Sequence, residues 1–180
     1  GHYLMYVQVY AGNKRKEIKV FENQVSDVKW SPSGENFIVI SGKMPATCTV
    51  YTKDCVPKFE FGKLYMNTVK YSPHDDLVLL GGFKSLAGDL LFWDKQDISN
   101  IHLIGKNNSH SSIQQEWSPD SRYFMTAVTH PRVRVENELS IFNNYGERVF
   151  YERLPEGGEM YFAFWQPVDP SVFSADRPVP

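Results

Sequence analysis

Side chains able to make or break bonds are thinly spread along this chain. Five histidines, His2, His74, His102, His110 and His130, share no short spacing, and Cys48 and Cys55 lack the paired arrangement of a zinc site. No Gly-x-Ser-x-Gly elbow offers a nucleophile, and no glycine-rich loop ending in lysine offers a phosphate cradle. Adjacent carboxylates at Asp75-Asp76 would suit acid–base work or a cation, but after Ser72-Pro73 they read as a solvated turn. Gly81-Gly82 closes an apolar run, where a turn or close strand packing explains it. The expectation is a protein with no catalytic residue, no metal site and no cofactor. The residues left with a chemical task are cations: Lys43, Lys63, Lys84, Lys106, Arg132 and Arg134. Their chemistry is contact with phosphates. Whether they act together depends on the elements that carry them.

Composition sets the bounds for those elements. With 180 residues, 42% hydrophobic and 14% aromatic, the chain has the makings of a packed core rather than of disorder. Its formal net charge of −2 provides no global basic field toward nucleic acid or an anionic membrane, so polyanion binding needs a local patch. No apolar run approaches membrane-spanning length, and no signal-peptide pattern opens the chain. Two cysteines are too few for a disulfide framework, which points to a reducing, intracellular setting.

Internal repetition defines the elements. Four segments share one form, in which an aromatic residue is followed by a polar residue and proline: Val28-Lys29-Trp30-Ser31-Pro32, Val69-Lys70-Tyr71-Ser72-Pro73, Gln115-Glu116-Trp117-Ser118-Pro119 and Ala163-Phe164-Trp165-Gln166-Pro167. Their prolines recur at intervals of 41, 46 and 48 residues, close to one four-stranded propeller blade. Each proline ends a strand because it cannot donate to a ladder. A turn follows, then an apolar strand (Phe37-Ile38-Val39-Ile40, Leu77-Val78-Leu79-Leu80, Tyr123-Phe124-Met125-Thr126) suited to cover on both faces. Third strands are expected at 48–51, 90–93 and 139–142, and fourth strands at 58–61, 101–104 and 148–151. Regular short strands would also fit a β-sandwich. The full-blade period decides for an all-β fold, a partial β-propeller of four-stranded antiparallel blades.

On this reading the propeller occupies residues 3–166. A partial blade spans 3–24, complete blades span 25–62, 66–106 and 112–154, and a further partial blade begins at 160–166. The chain therefore reads as a fragment of a larger propeller, with an extended, proline-rich tail at 167–180. In such a meander the loops joining second to third strands open on the same face as the loops between blades. Lys43, Lys84, Arg132 and Arg134 fall in loops of the first kind, and Lys63 and Lys106 in loops of the second, with Glu136, Glu138, Glu156 and Glu159 on the same face. The opposite face receives Glu35, Asp54, Asp75, Asp76, Asp94, Asp97, Asp120 and Glu147, with Lys53, Lys58, Lys95 and Arg148 among them. A basic face that contacts RNA and a set of solvated surface charges both account for this distribution. Tyr65, also between blades, is expected to pack against the next blade, with base stacking as the alternative.

Beyond the repeat, an ordered set of short elements resembles the propeller of the eukaryotic translation initiation factor 2A family. The set runs through Gly42-Lys43-Met44-Pro45-Ala46, Cys55-Val56-Pro57-Lys58-Phe59-Glu60-Phe61-Gly62, Tyr71-Ser72-Pro73-His74, Gly82-Phe83, Leu86-Ala87-Gly88 and Trp93-Asp94. It continues with Trp117-Ser118-Pro119-Asp120, Pro131-Arg132-Val133-Arg134-Val135, Asn137 and Trp165-Gln166-Pro167. The b subunit of translation initiation factor 3 shares the plan but fits the Met44-Pro45-Ala46 and Pro131-Arg132-Val133-Arg134 loops less well. Trp-Asp occurs once, and the blades lack the Gly-His that opens ordinary WD repeats, so the side-chain networks of those repeats are not expected. The resemblance implies a cytoplasmic, non-enzymatic translation factor. Its implied partners are the small ribosomal subunit, initiator methionyl-tRNA, mRNA and other initiation factors, with no part for DNA or membranes. A propeller that serves as a protein–protein scaffold is the alternative.

Overall fold

The structure, a computed structural model, describes residues 5–11, 14–21, 24–134 and 136–176, the first two stretches as backbone alone. Strands β1 (Met5–Ala11) and β2 (Lys14–Phe21) form an antiparallel pair. Three four-stranded antiparallel meanders follow. The first comprises β3 (Val25–Trp30), β4 (Asn36–Ser41), β5 (Ala46–Thr52) and β6 (Pro57–Leu64). The second comprises β7 (Thr68–Tyr71), β8 (Leu77–Gly81), β9 (Asp89–Asp94) and β10 (His102–Asn108). The third comprises β11 (Gln114–Trp117), β12 (Tyr123–Val128), β13 (Glu138–Asn143) and β14 (Arg148–Arg153). The only helical element among the described residues is a single 3-10 turn at Pro170–Val172. This is the partial β-propeller that the repeat predicts.

Every residue of β4 and β8 is buried, because each strand carries apolar side chains on both faces. Ile38, Ile40, Cys48 and Val50 of the first blade pack against Val69, Val78 and Leu80 of the second. On the other face of the second blade, Leu77, Leu79, Leu90 and Phe92 pack against Trp117, Phe124 and Phe142 of the third. The Phe92 ring meets the rings of Trp117 and Phe124 edge-on at 6.0 Å each. Such burial stabilises by roughly 1.5–3 kcal/mol per large side chain. Cys48 lies in this core with its thiol pushed up to about 12 by burial, which makes it a packing residue rather than a reactive thiol.

The repeated aromatic–Ser–Pro segments do more than end strands. Trp30, Tyr71 and Trp117 pair with Phe37, Val78 and Phe124, the same register in each blade. From that position the aromatic residue donates a hydrogen bond back to the preceding blade. Tyr71 Oη donates to Asn36 Oδ1 (2.9 Å), Trp117 Nε1 to the Lys70 carbonyl (3.0 Å) and Trp165 Nε1 to the Glu116 carbonyl (3.3 Å). The serine that follows closes the turn. Ser31, Ser72 and Ser118 each accept at Oγ from the backbone N–H five residues on, at Asn36, Leu77 and Tyr123. The tightest point of each turn has positive φ, at Gly34, Asp75 and Ser121.

Two boundaries differ from the sequence expectation. The outer strands β6 and β10 run past the expected fourth strands, because irregularities in register beside Gly62 and Gly105 let pairing continue. Lys63 pairs opposite Thr47 and Lys106 opposite Leu91, so both lie on outer strands and not in loops between blades. Residues 160–165 form no strand, since no second strand among the described residues pairs with them. They nevertheless hold the place of a first strand. The Ala163 N–H donates to Gln114 Oε1 (2.9 Å), as the Val69 N–H donates to Asp27 Oδ2 (2.8 Å) from the equivalent position two blade boundaries earlier. The tail then turns back over the second and third blades, where His74 Nε2 donates to the Pro170 carbonyl (3.0 Å).

Removing the inter-blade bond while keeping the ring isolates its contribution. Tyr71→Phe strands the buried Asn36 carbonyl and is expected to destabilise by about 1–3 kcal/mol in urea denaturation. Tyr123→Phe, at 39% exposure, is expected to change stability by less than about 0.5 kcal/mol.

Candidate functional site

The meander topology puts two sets of connections at opposite ends of the sheets. One end carries the β3–β4, β7–β8 and β11–β12 turns with the tips of the outer hairpins, and the other carries the β4–β5, β8–β9 and β12–β13 loops. Charge is handled differently at the two ends.

At the turn end, two ion pairs border a cavity of about 710 Å³ between the first two blades. Lys95 is buried, 2.9 Å from Asp75 Oδ1, with its ammonium 5.4 Å from the Tyr71 ring centroid. The Ser33 hydroxyl of the first blade donates to Asp75 of the second. Lys53 pairs with Glu35 at 2.7 Å. Asp75-Asp76 is thus a structural junction: Asp76 accepts from Ser72 Oγ (2.7 Å) inside the turn, and Asp75 joins two blades. The turn expected there is present, and Lys95 is buried where a surface charge was expected.

At the loop end, Lys43, Lys84, Arg132 and Arg134 are exposed, as are Lys63 and Lys106 on their strands. None of the six makes an ion pair among the described residues. The structure brings two of them together. Lys43 from the β4–β5 loop and Lys84 from the β8–β9 loop line one groove of about 350 Å³ across the boundary between the first and second blades. Gly42, at φ +94° with its N–H bonded to the Gln24 carbonyl (2.8 Å), sets up the Lys43 loop. Lys84 itself has φ +63°, an uncommon conformation for a residue with a side chain. Asn67 holds that loop in place: its Nδ2 donates to the Phe83 carbonyl (2.8 Å) and its Oδ1 accepts from the Phe83 N–H (3.0 Å). Gly82 is required where it stands, because a Cβ there would meet the Tyr65 carbonyl oxygen at 2.5 Å. This is the close packing expected of Gly81-Gly82.

The remaining candidates lie apart from this groove. Arg134 lines a second groove, of about 420 Å³, with Glu136, Arg153 and Glu156, where Arg153 and Glu136 form an ion pair. Arg132 is exposed on the same loop. Tyr65 is 60% exposed rather than packed on the next blade, whereas Met66 beside it is buried in the core. Sequence reasoning missed Asn67, whose polar side chain between core residues was the available signal.

The inner strands were the place to look for a reactive cluster. Lys70 is held below the usual lysine range by burial and by Lys29, against the opposing pull of Asp27 and Glu116. Asp27 is committed to the backbone, accepting from Val28 N (2.9 Å) and Val69 N (2.8 Å). Among the described residues no three His, Cys, Asp or Glu side chains converge on a metal-sized site, and no helix is long and apolar enough to cross a membrane.

Stacked four-stranded blades with a polar groove between loops define a β-propeller. Comparison with known proteins is specific about which. The profile of the family described as "Eukaryotic translation initiation factor eIF2A" matches residues 2–161. The chain belongs to the eukaryotic translation initiation factor 2A family. It is 40% identical over 153 residues to eukaryotic translation initiation factor 2A of Dictyostelium discoideum, covering 85% of this chain and 24% of that protein. It is 26% identical to the b subunit of eukaryotic translation initiation factor 3 from Xenopus laevis, covering 82% of this chain and 21% of the other. A solved structure described as a eukaryotic initiation factor superposes with a TM-score of 0.71 at 30% identity, over 78% of this chain and 34% of that one. The chain spans about a quarter of the length of the family relatives it matches.

The Asn67 clamp makes a local prediction. Asn67→Ala should speed amide hydrogen exchange across residues 83–88 while leaving β7 and β8 protected, as read by mass spectrometry.

Proposed function

We propose that this chain is the propeller portion of a cytoplasmic translation initiation factor that works by binding rather than catalysis. It associates with the small ribosomal subunit and takes part in delivering initiator methionyl-tRNA to a start codon on mRNA, alongside other initiation factors. It needs no cofactor, and it addresses neither DNA nor membranes. Family membership supports the translational role. One observation carries the assignment of the RNA-facing surface: the turn-end lysines Lys53 and Lys95 are paired with carboxylates of the same protein, while Lys43 and Lys84 line one groove with no ion-pair partner among the described residues. Cations left unpaired on a rigid loop end are suited to phosphates, which supply salt-dependent affinity and fix orientation. Arg132, Arg134, Lys63 and Lys106 are further exposed cations that lie apart from this groove.

A protein-scaffold reading has its own support. Val149, Phe150 and Tyr151 on the outer strand β14 are 42–52% exposed, and Phe162 and Phe164 are each 74% exposed. Apolar surface of this kind suits a protein neighbour.

Salt-titrated binding of purified small ribosomal subunits separates the two readings. K43A/K84A should weaken binding and lower the salt slope by about 0.7–0.9 for each phosphate that the protein no longer neutralises. Binding that stays insensitive to salt and to both substitutions, but falls for Phe150→Ser, would favour the scaffold.

A further inference from the structure

The groove between the β4–β5 and β8–β9 loops differs from a general basic surface in three ways. Its cations number two among its lining residues, Lys43 and Lys84, and they come from neighbouring blades. Lys63 and Lys106 sit on outer strands, and Arg134 shares its groove with carboxylates, so no continuous basic stripe runs from here. A duplex is tracked by contacts spread over many base pairs, whereas two cations lining one groove suit a short run of phosphates. The volume, about 350 Å³, lies at the lower end of small-ligand clefts, roughly 300–1,000 Å³. Gln24, Ser26 and Ser85 also line it and offer amide and hydroxyl groups of the kind that read ribose hydroxyls and base edges.

Tyr65 supplies the third distinction. It stands between Leu64, packed against the core, and Met66, 3% exposed, so the chain is anchored on both sides of a ring left 60% in solvent. Its carbonyl oxygen lies against Gly82, and so does the side chain of Leu86, which lines the groove. Tyr65 stands two residues before Asn67, which lines the groove with Lys43 and Lys84, and an exposed aromatic residue near cations is the combination by which proteins hold unpaired strands. Both loops are also tied down before any ligand arrives: in the β4–β5 loop Gly42 N–H donates to the Gln24 carbonyl (2.8 Å), and in the β8–β9 loop Gly82 N–H donates to the Asp89 carbonyl (2.9 Å), Gly88 N–H to the Gly82 carbonyl (2.8 Å), and Asn67 holds Phe83. Little ordering entropy then remains to oppose binding.

We propose that this groove takes an unpaired RNA segment, with Lys43 and Lys84 on its phosphates and Tyr65 stacked on a base. The inference rests on the RNA-binding reading above and adds strand type and a stacking residue to it. The test uses the full-length chain, with fluorescence anisotropy on a labelled hexauridylate and on a labelled RNA duplex. The single strand should bind more tightly, with a salt slope of about 1.4 for two phosphates. Tyr65→Leu should weaken single-strand binding about 5- to 150-fold while Tyr65→Phe preserves it. K43A/K84A should weaken binding and flatten its salt dependence. Equal affinity for the duplex, or no effect of Tyr65→Leu, would overturn the proposal. So would an acidic peptide that displaces the hexauridylate from wild type and from Tyr65→Leu equally well, since that marks a protein site. Small-subunit binding measured in parallel keeps the two readings apart. Its absence in wild type sinks the functional reading, and its survival unchanged in all these variants sinks the groove alone.

Discussion

None of the three four-stranded sheets can bury its own faces. β8 alone shows why: Val78 and Leu80 point into one neighbouring blade, and Leu77 and Leu79 into the other, all fully buried. A four-stranded sheet with two apolar faces is stable only between two others. Hydrophobic cover alone would allow the blades to slide, because apolar contact is non-directional. Direction comes from hydrogen bonds at fixed positions: Tyr71, Trp117 and Trp165 each reach back one blade, and Asp27 and Gln114 reach forward to Val69 and Ala163. The register between blades is therefore set residue by residue, and the loops inherit their relative positions from it.

The groove depends on that inheritance. Lys43 and Lys84 belong to different blades and meet only because the boundary between those blades is fixed. The same boundary at its other end carries Ser33, Asp75 and Lys95, where charge is consumed by the fold itself. A buried, paired Lys95 has little left to offer a ligand, whereas exposed lysines on tied loops retain their charge for one. The asymmetry is one of use rather than of amount, since both ends carry charges of both signs.

Much of the fold was legible because the period of the aromatic–Ser–Pro segments is a direct image of the blade. The strand order, the buried second strands and the equivalence of Trp30, Tyr71 and Trp117 all follow from it. Strand ends were less legible. The expected fourth strands stop just before Gly62 and Gly105, yet β6 and β10 absorb these residues beside irregularities in register and continue, which moved Lys63 and Lys106 out of the loops. Residues 160–165 read as a strand because side-chain pattern registers a strand's place, while the ladder also needs a partner. The candidate site was legible as a list of six cations and not as a groove. Which two converge depends on inter-blade register and on Asn67, whose clamp to Phe83 spans the β7–β8 hairpin. Tyr65 was misjudged for a related reason, since a single aromatic residue in a short connection gives no sign of whether its ring or its neighbours face the core.

The central claim is that one end of this propeller faces RNA and the other does not. Site-specific photo-cross-linking on purified small ribosomal subunits addresses it most directly, with the reactive group placed at Lys84 in one protein and at Lys53, at the opposite end, in another. The account predicts cross-links to RNA from position 84 and none from position 53. Cross-links to RNA from position 53, with position 84 silent or joined only to protein, would contradict it.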